Sequence, residues 1–202
     1  MKKMKRGVLL IVACLVSGMM QAQLKVKKNT LPQLQDSTSI IYTLVDSMAQ
    51  GLNCRIVVKE ASISTTMNAR PSLWSLMRKK ENRKYVIRVN NNPTFNGIRV
   101  NEVPTAASIG LWVHELMHVK DYHSRNMWGI MERGWQYMTI NGKRKFEHEI
   151  DQMVISHGFG NQLFAWAQYA MEESNASPAY KAFKRKIYLS PTDIQQSLSL
   201  VE

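Results

Sequence analysis

Apolar residues recur at helical spacing across residues 36–50, where Ile40, Ile41, Leu44, Val45 and Met48 fall on one side of a 3.6-residue repeat. Asp36 or Ser37 can cap the start of that helix and Gly51 can end it. The period then changes to two. Residues 54–59 (CRIVVK) are short and β-branched, and residues 84–90 (KYVIRVN) alternate, so both predict strands. Between them, Leu73, Trp74, Leu76 and Met77 within residues 70–80 predict a short helix or a packed turn. Residues 90–97 (NNNPTFNG) carry turn chemistry, and residues 98–100 predict one more short strand.

The helical period returns after Pro104, a residue tolerated in the first turn, and predicts a helix over 105–123. Residues 124–144 are rich in Trp, Gly and Met without a clear period and predict irregular structure, with Asn141-Gly142 as a turn. A second long helix is expected over 144–173, broken near Gly158 and Gly160. The tail, 177–202, predicts a short helix after Ser190-Pro191. No repeat, low-complexity tract or long linker interrupts this order. Residues 23–202 therefore read as a single α+β domain, in which a small mixed or antiparallel sheet packs on the 105–123 helix.

The first 22 residues stand apart from that pattern. Lys2, Lys3, Lys5 and Arg6 form a charged head, Gly7 to Met20 is an apolar run, and Ala22 is the small residue of a cleavage point. This predicts an exported protein, periplasmic or extracellular, whose mature chain starts near Gln23. The apolar run, at about 14 residues, is shorter than the roughly 20 that a membrane-spanning helix needs. No later stretch of the sequence comes close, so no transmembrane span is expected in the mature chain. Ile11-Val12-Ala13-Cys14 resembles a bacterial lipobox, but the LVSGMM that follows stays apolar where a lipoprotein tether is polar, so lipid anchorage through Cys14 is the lesser reading.

Composition adds a sign. The chain carries +12, and loss of residues 1–22 removes four of its 27 basic and none of its 15 acidic residues, leaving +8. That balance favours anionic partners, an envelope surface among them. The basic residues are scattered and lack interleaved stacking aromatics, so nucleic acid is not expected. Without Cys14 only Cys54 remains, which rules out an intramolecular disulfide despite export.

The candidate chemistry sits in residues 112–118, WVHELMH, where His114, Glu115 and His118 form H-E-x-x-H. On a helix, with His114 at zero, His118 falls at about 40° and Asp121 at about −20°, while Ile109, Trp112, Leu116 and Val119 occupy the opposite face. His123 falls among those apolar residues and reads as a core-edge histidine. Two imidazoles one turn apart reach a common point about 2 Å from each ring nitrogen, which is what Zn²⁺ requires. Glu115, at about 100°, lies beside that point. A carboxylate there can take a proton from a water whose pKa the metal has lowered toward 7.

Catalytic zinc needs a third protein ligand. Ser124 stands six residues past His118, where the metzincins have their third histidine, so that solution fails. The second long helix offers FEHEID, in which Glu147 and Asp151 share a face at i, i+4. Glu147 is the expected ligand, and Asp151 is placed to accept the outer N–H of a ligating histidine, expected to be His114. Glu149 is the rival, about 200° away round the helix from Glu147, and His148 and His157 lie off the stripe.

HELMH at 114–118 followed by EHEID at 147–151 resembles the H-E-x-x-H…E-x-x-x-D arrangement of the gluzincin metallopeptidases, the group that includes thermolysin and the membrane CAAX-prenyl-type proteases. The likeness covers two helices of a 202-residue chain. It implies a zincin-like fold with Zn²⁺ on His114, His118 and Glu147, Glu115 as general base and Asp151 as orienting carboxylate. It further implies that the strand preceding the motif helix, residues 84–90, lines the cleft and pairs with an extended peptide. The oxyanion donor of thermolysin-like enzymes has no evident counterpart. His157, Tyr137 and Tyr169 are the candidates, each also readable as a structural residue. The expectation is a zinc metallopeptidase acting on peptide or protein substrates. The alternative is a zincin-like metal-binding envelope protein that has lost turnover.

Overall fold

The computed structural model describes residues 37–200. The export-signal and Cys14 readings fall outside them. The described residues open with helix α1 (Ser37–Gly51), followed by strands β1 (Arg55–Ala61), β2 (Met67–Pro71) and β3 (Lys84–Asn90). Helices α2 (Thr105–Ser124), α3 (Met127–Gln136), α4 (Ile140–Val154), α5 (Gly160–Gln168), α6 (Pro178–Ile187) and α7 (Pro191–Ser199) complete the α+β order. Among the described residues no helix is long and apolar enough to cross a membrane.

The sheet is mixed and ordered β1-β3-β2. β3 runs parallel to β1, with Arg55 opposite Lys84, and antiparallel to β2, with Ala69 opposite Ile87. Its central position explains why Tyr85, Val86, Ile87 and Val89 are all buried, since a strand flanked on both edges and covered on both faces has no solvent side. The sequence pattern does not predict β2. MNARP has no β-branched residue and a proline, so it has little intrinsic preference for a strand and is held by its pairing to β3. Pro71 is tolerated because β2 is an edge strand.

Residues 98–100 do not form a strand. Ile98 and Val100 are buried, but the Glu102 carboxylate accepts the Arg99 N–H at 3.2 Å and closes a 3₁₀ turn over Val100–Glu102. Nor are residues 124–144 irregular. The Asn126 side chain accepts the Gly129 N–H at 2.9 Å and starts α3, and Thr139 accepts the Gly142 N–H at 3.0 Å and starts α4 at Ile140. Asn141-Gly142 is thus the first turn of a helix. A Cβ on Gly142 would lie 2.5 Å from the Gln136 carbonyl oxygen, so the glycine serves a close approach there. The second long helix breaks at Gly158, whose φ of 82° a side chain would strain.

The motif helix α2 runs through the centre. Fourteen of its twenty residues are buried, which makes it internal where the sequence pattern suggested one apolar and one open face. Trp112, Leu116 and Val119 are buried as that pattern implied, and Ile109 is only partly so. The polar face is buried because α4 lies over it, while α5, β2 and α1 cover the rest. α5 comes closest at Gly110, where an added Cβ would sit 2.1 Å from the Gln162 carbonyl oxygen. One hydrophobic cluster extends from Ile41 on α1 to Ile194 on α7. Cys54 belongs to it as a free, buried thiol, pushed up to about 12 by burial.

Candidate metal centre

Helices α2 and α4 cross so that three donor atoms meet. The Nε2 atoms of His114 and His118 are 3.1 Å apart, and Glu147 Oε2 is 3.2 Å from each. Tetrahedral zinc with ligands about 2.05 Å away holds adjacent donor atoms about 3.3 Å from one another. The three residues therefore outline one face of such a tetrahedron. All three are buried. The donor set and its spacing fit a metal ion.

Glu147 lies well below the usual carboxylate range. Burial alone would raise it, but the His118 charge and the hydrogen bonds of both histidines outweigh that effect. Its second oxygen, Oε1, accepts the Tyr137 hydroxyl. Glu149, the rival acid, turns away to pair with Arg133 at 2.7 Å and is partly exposed. The i, i+4 face of α4 thus belongs to Glu147 and Asp151.

Asp151 uses both oxygens. Oδ1 accepts the His114 Nδ1–H at 2.9 Å, and Oδ2 accepts the Leu189 backbone N–H at 3.1 Å. The first bond fixes the tautomer that frees His114 Nε2 for a metal. The second ties the chain after α6 to the site. His118 is held differently: its Nδ1 is buried without a partner among the described residues, and its ring is fixed by stacking on Tyr122 and by an edge-on contact with Phe146, centroids 6.1 and 5.2 Å away.

Asp121 shares the helical stripe but faces two guanidiniums instead of the metal site. It accepts bonds from Arg125 and Arg133, the closest at 2.8 Å. Burial pushes Asp121 up, and these two arginines more than reverse it, so the carboxyl is held below its ordinary value. Arg133 also lies 4.1 Å above the Phe146 ring, linking α3 through Phe146 to His118. His123, at the end of α2, meets the Tyr85 hydroxyl at 3.2 Å.

Glu115 is buried, and its Oε2 has no hydrogen-bond partner among the described residues. Burial raises it, and the nearby histidines only partly counter this. It lines the wall of a cleft of about 450 Å³ together with His118, Glu147 and Tyr137.

The sequence offered three oxyanion donors, and two lie elsewhere. Tyr169 donates to the Glu102 carbonyl at 2.7 Å on the surface, and His157 is exposed, bonded to Lys120 and to the Met153 carbonyl. Tyr137 is in the cleft, but its hydroxyl is given to Glu147. Sequence reasoning missed Tyr188. Its ring lies 5.6 Å from that of His114, it lines the same cleft, and Lys184 Nζ sits 4.2 Å from its ring centroid. Burial and the Glu147 and Glu115 charges raise it well above 10, so it stays a neutral O–H donor. No spacing rule could find it, because it reaches the site from the chain after α6.

β3 reaches the cleft through Arg88 alone, whereas β2 lines it from Met67 to Pro71. Both edges of β3 are occupied, so it has no free backbone groups for a ligand. In the β2–β3 ladder, Thr66 accepts from Asn90 and Lys84 from Ser72, which sets the phase: even-numbered residues of β2 bond inward and odd-numbered ones outward. Ala69 therefore turns its N–H and C=O to the open edge, and it lines the cleft. No protein-family model matches the chain, and neither a curated protein nor a solved structure is similar to it.

Proposed function

We propose that this protein is an exported zinc metallopeptidase of gluzincin type, with His114, His118 and Glu147 as ligands. The observation that carries the reading is the set of three donor atoms 3.1–3.2 Å apart next to a buried, unpartnered Glu115 in one cleft. Zn²⁺ bound there supplies Lewis acidity, lowering the pKa of water and polarising a carbonyl.

The chain's own residues do the rest. An extended peptide adds to the β2 edge, pairing with the outward N–H and C=O of Ala69, which sets its carbonyl along the cleft. Glu115 takes a proton from the attacking water as oxygen adds to the carbonyl carbon. Burial raises its pKa, which makes it a stronger proton acceptor than an exposed carboxylate. The Tyr188 O–H donates to the oxygen that gains negative charge. As the C–N bond breaks, Glu115 passes the same proton to the leaving amine, and the products are a carboxylate and an amine. Asp151 holds His114 in its ligating tautomer throughout.

The test is zinc content and peptide cleavage measured side by side. Glu115→Gln keeps stoichiometric zinc and loses cleavage in a broad peptide library, whereas His118→Ala loses both. A folded His118→Ala protein that retained zinc would refute the ligand set. Wild type that binds zinc yet cleaves no more than Glu115→Gln would make the protein a metal-binding scaffold instead.

A further inference from the structure

We propose that the rim of the cleft is a docking surface for an anionic lipid bilayer, formed by the segment 73–80 on one side and α3 with residues 137–140 on the other. Nine of the eleven exposed large apolar side chains among the described residues lie in these two segments. They include Trp74, Trp128 and Trp135, which are 88, 70 and 65% exposed, while Trp112 and Trp166 are buried. The segments adjoin, because Leu73 and Leu76 line the same cleft as Met131 and Gly134, and Lys80 at the end of the first segment donates to the Ser124 carbonyl at 2.8 Å just before α3.

α3 is an amphipathic helix turned inside out. Trp128, Met131 and Trp135 fall within an arc of about 60°, and the buried Ile130 and Arg133 lie across the helix from them. A helix whose apolar stripe faces away from the core needs an external apolar phase.

Charge selects that phase. Arg70, Arg78 and Lys79 are exposed within five residues of Trp74 along the chain, and none forms an ion pair among the described residues. Indoles that stop at headgroup depth, with unpaired cations beside them, are the composition of an interfacial membrane surface. Two ridges separated by a cleft also suit a fluid bilayer better than a rigid protein face, because lipid conforms to the gap. The inference does not depend on zinc or on Glu115.

The test uses the whole chain, whose first tryptophan is Trp74, so the indole emission comes from the three rim tryptophans and the buried Trp112 and Trp166, and none of it from residues 1–22. Vesicles of equimolar phosphatidylglycerol and phosphatidylcholine with brominated acyl chains should quench the emission and shift it to the blue. Arg78→Gln with Lys79→Gln should weaken the apparent affinity roughly fivefold for each cation removed. In a Trp74→Ser, Trp128→Ser, Trp135→Ser protein, the remaining emission should escape quenching. Absence of quenching, or equal quenching by pure phosphatidylcholine, overturns the proposal. So does a dimer in sedimentation velocity that the triple variant abolishes, since a second copy would then cover the rim.

Discussion

Asp151→Asn tests the site most sharply, because the carboxylate serves two N–H groups with two oxygens and the amide has only one. As it stands, Oδ1 takes the His114 Nδ1–H at 2.9 Å and Oδ2 the Leu189 N–H at 3.1 Å. Whichever way an asparagine turns, its NH₂ faces one of those donors. If it faces His114, the imidazole loses the bond that reserves Nε2 for the metal, and zinc affinity falls about 10- to 100-fold. At about 1.4 kcal/mol per decade, that is roughly 1.4 to 2.8 kcal/mol. If it faces Leu189, a buried backbone N–H is orphaned at a cost of about 1 to 3 kcal/mol, and the segment carrying Tyr188 loosens. The two outcomes separate by assay: competition against a chromophoric chelator reads zinc affinity, and urea unfolding of chelated protein reads stability. A variant within twofold of the parent in zinc affinity and unchanged in urea midpoint would refute this account of Asp151.

Three further substitutions probe other parts of the argument. Tyr188→Phe keeps the ring beside His114 and removes the donor, so kcat should drop by about 10²- to 10³-fold with zinc content unchanged; a kcat within threefold of the parent removes Tyr188 from the mechanism. Gly110→Ala forces α2 and α5 apart at the 2.1 Å contact with Gln162, and about 1 to 3 kcal/mol of overpacking should lower Tm by several degrees in calorimetry. Asp121→Asn removes one of the two anions on the buried Arg133, with Glu149 remaining, and should cost about 1 to 3 kcal/mol at neutral pH. Because the folded pKa of Asp121 is depressed, its contribution is complete above the ordinary aspartate value near 3.9 and disappears as pH falls through the lower folded value. Urea unfolding against pH should therefore show an acid limb in the parent that the asparagine variant reduces.

What the sequence by itself determined were the features set by short-range periodicity. Helix α1, the core of α2, the strands β1 and β3, the break at Gly158 and the helix after Pro191 all follow from spacing and capping within a few residues of each position. The same is true of His114 beside His118, and of Glu147 beside Asp151, because i, i+4 residues share a face on any helix. Tertiary structure alone decided the rest. Strand β2 exists through its partner; α3 and the start of α4 are nucleated by Asn126 and Thr139, side-chain caps that look like loop residues in a linear reading. β3 could not be recognised as closed to ligands until both of its neighbours were in position. Asp121 leaves the metal stripe because Arg133 of α3 joins Arg125, its i+4 neighbour, in claiming it, and Tyr188 enters the cleft from a segment tied down by Asp151. Such outcomes depend on which distant groups meet in a buried space, where an unpaired charge or donor costs several kcal/mol, and no local pattern encodes that meeting.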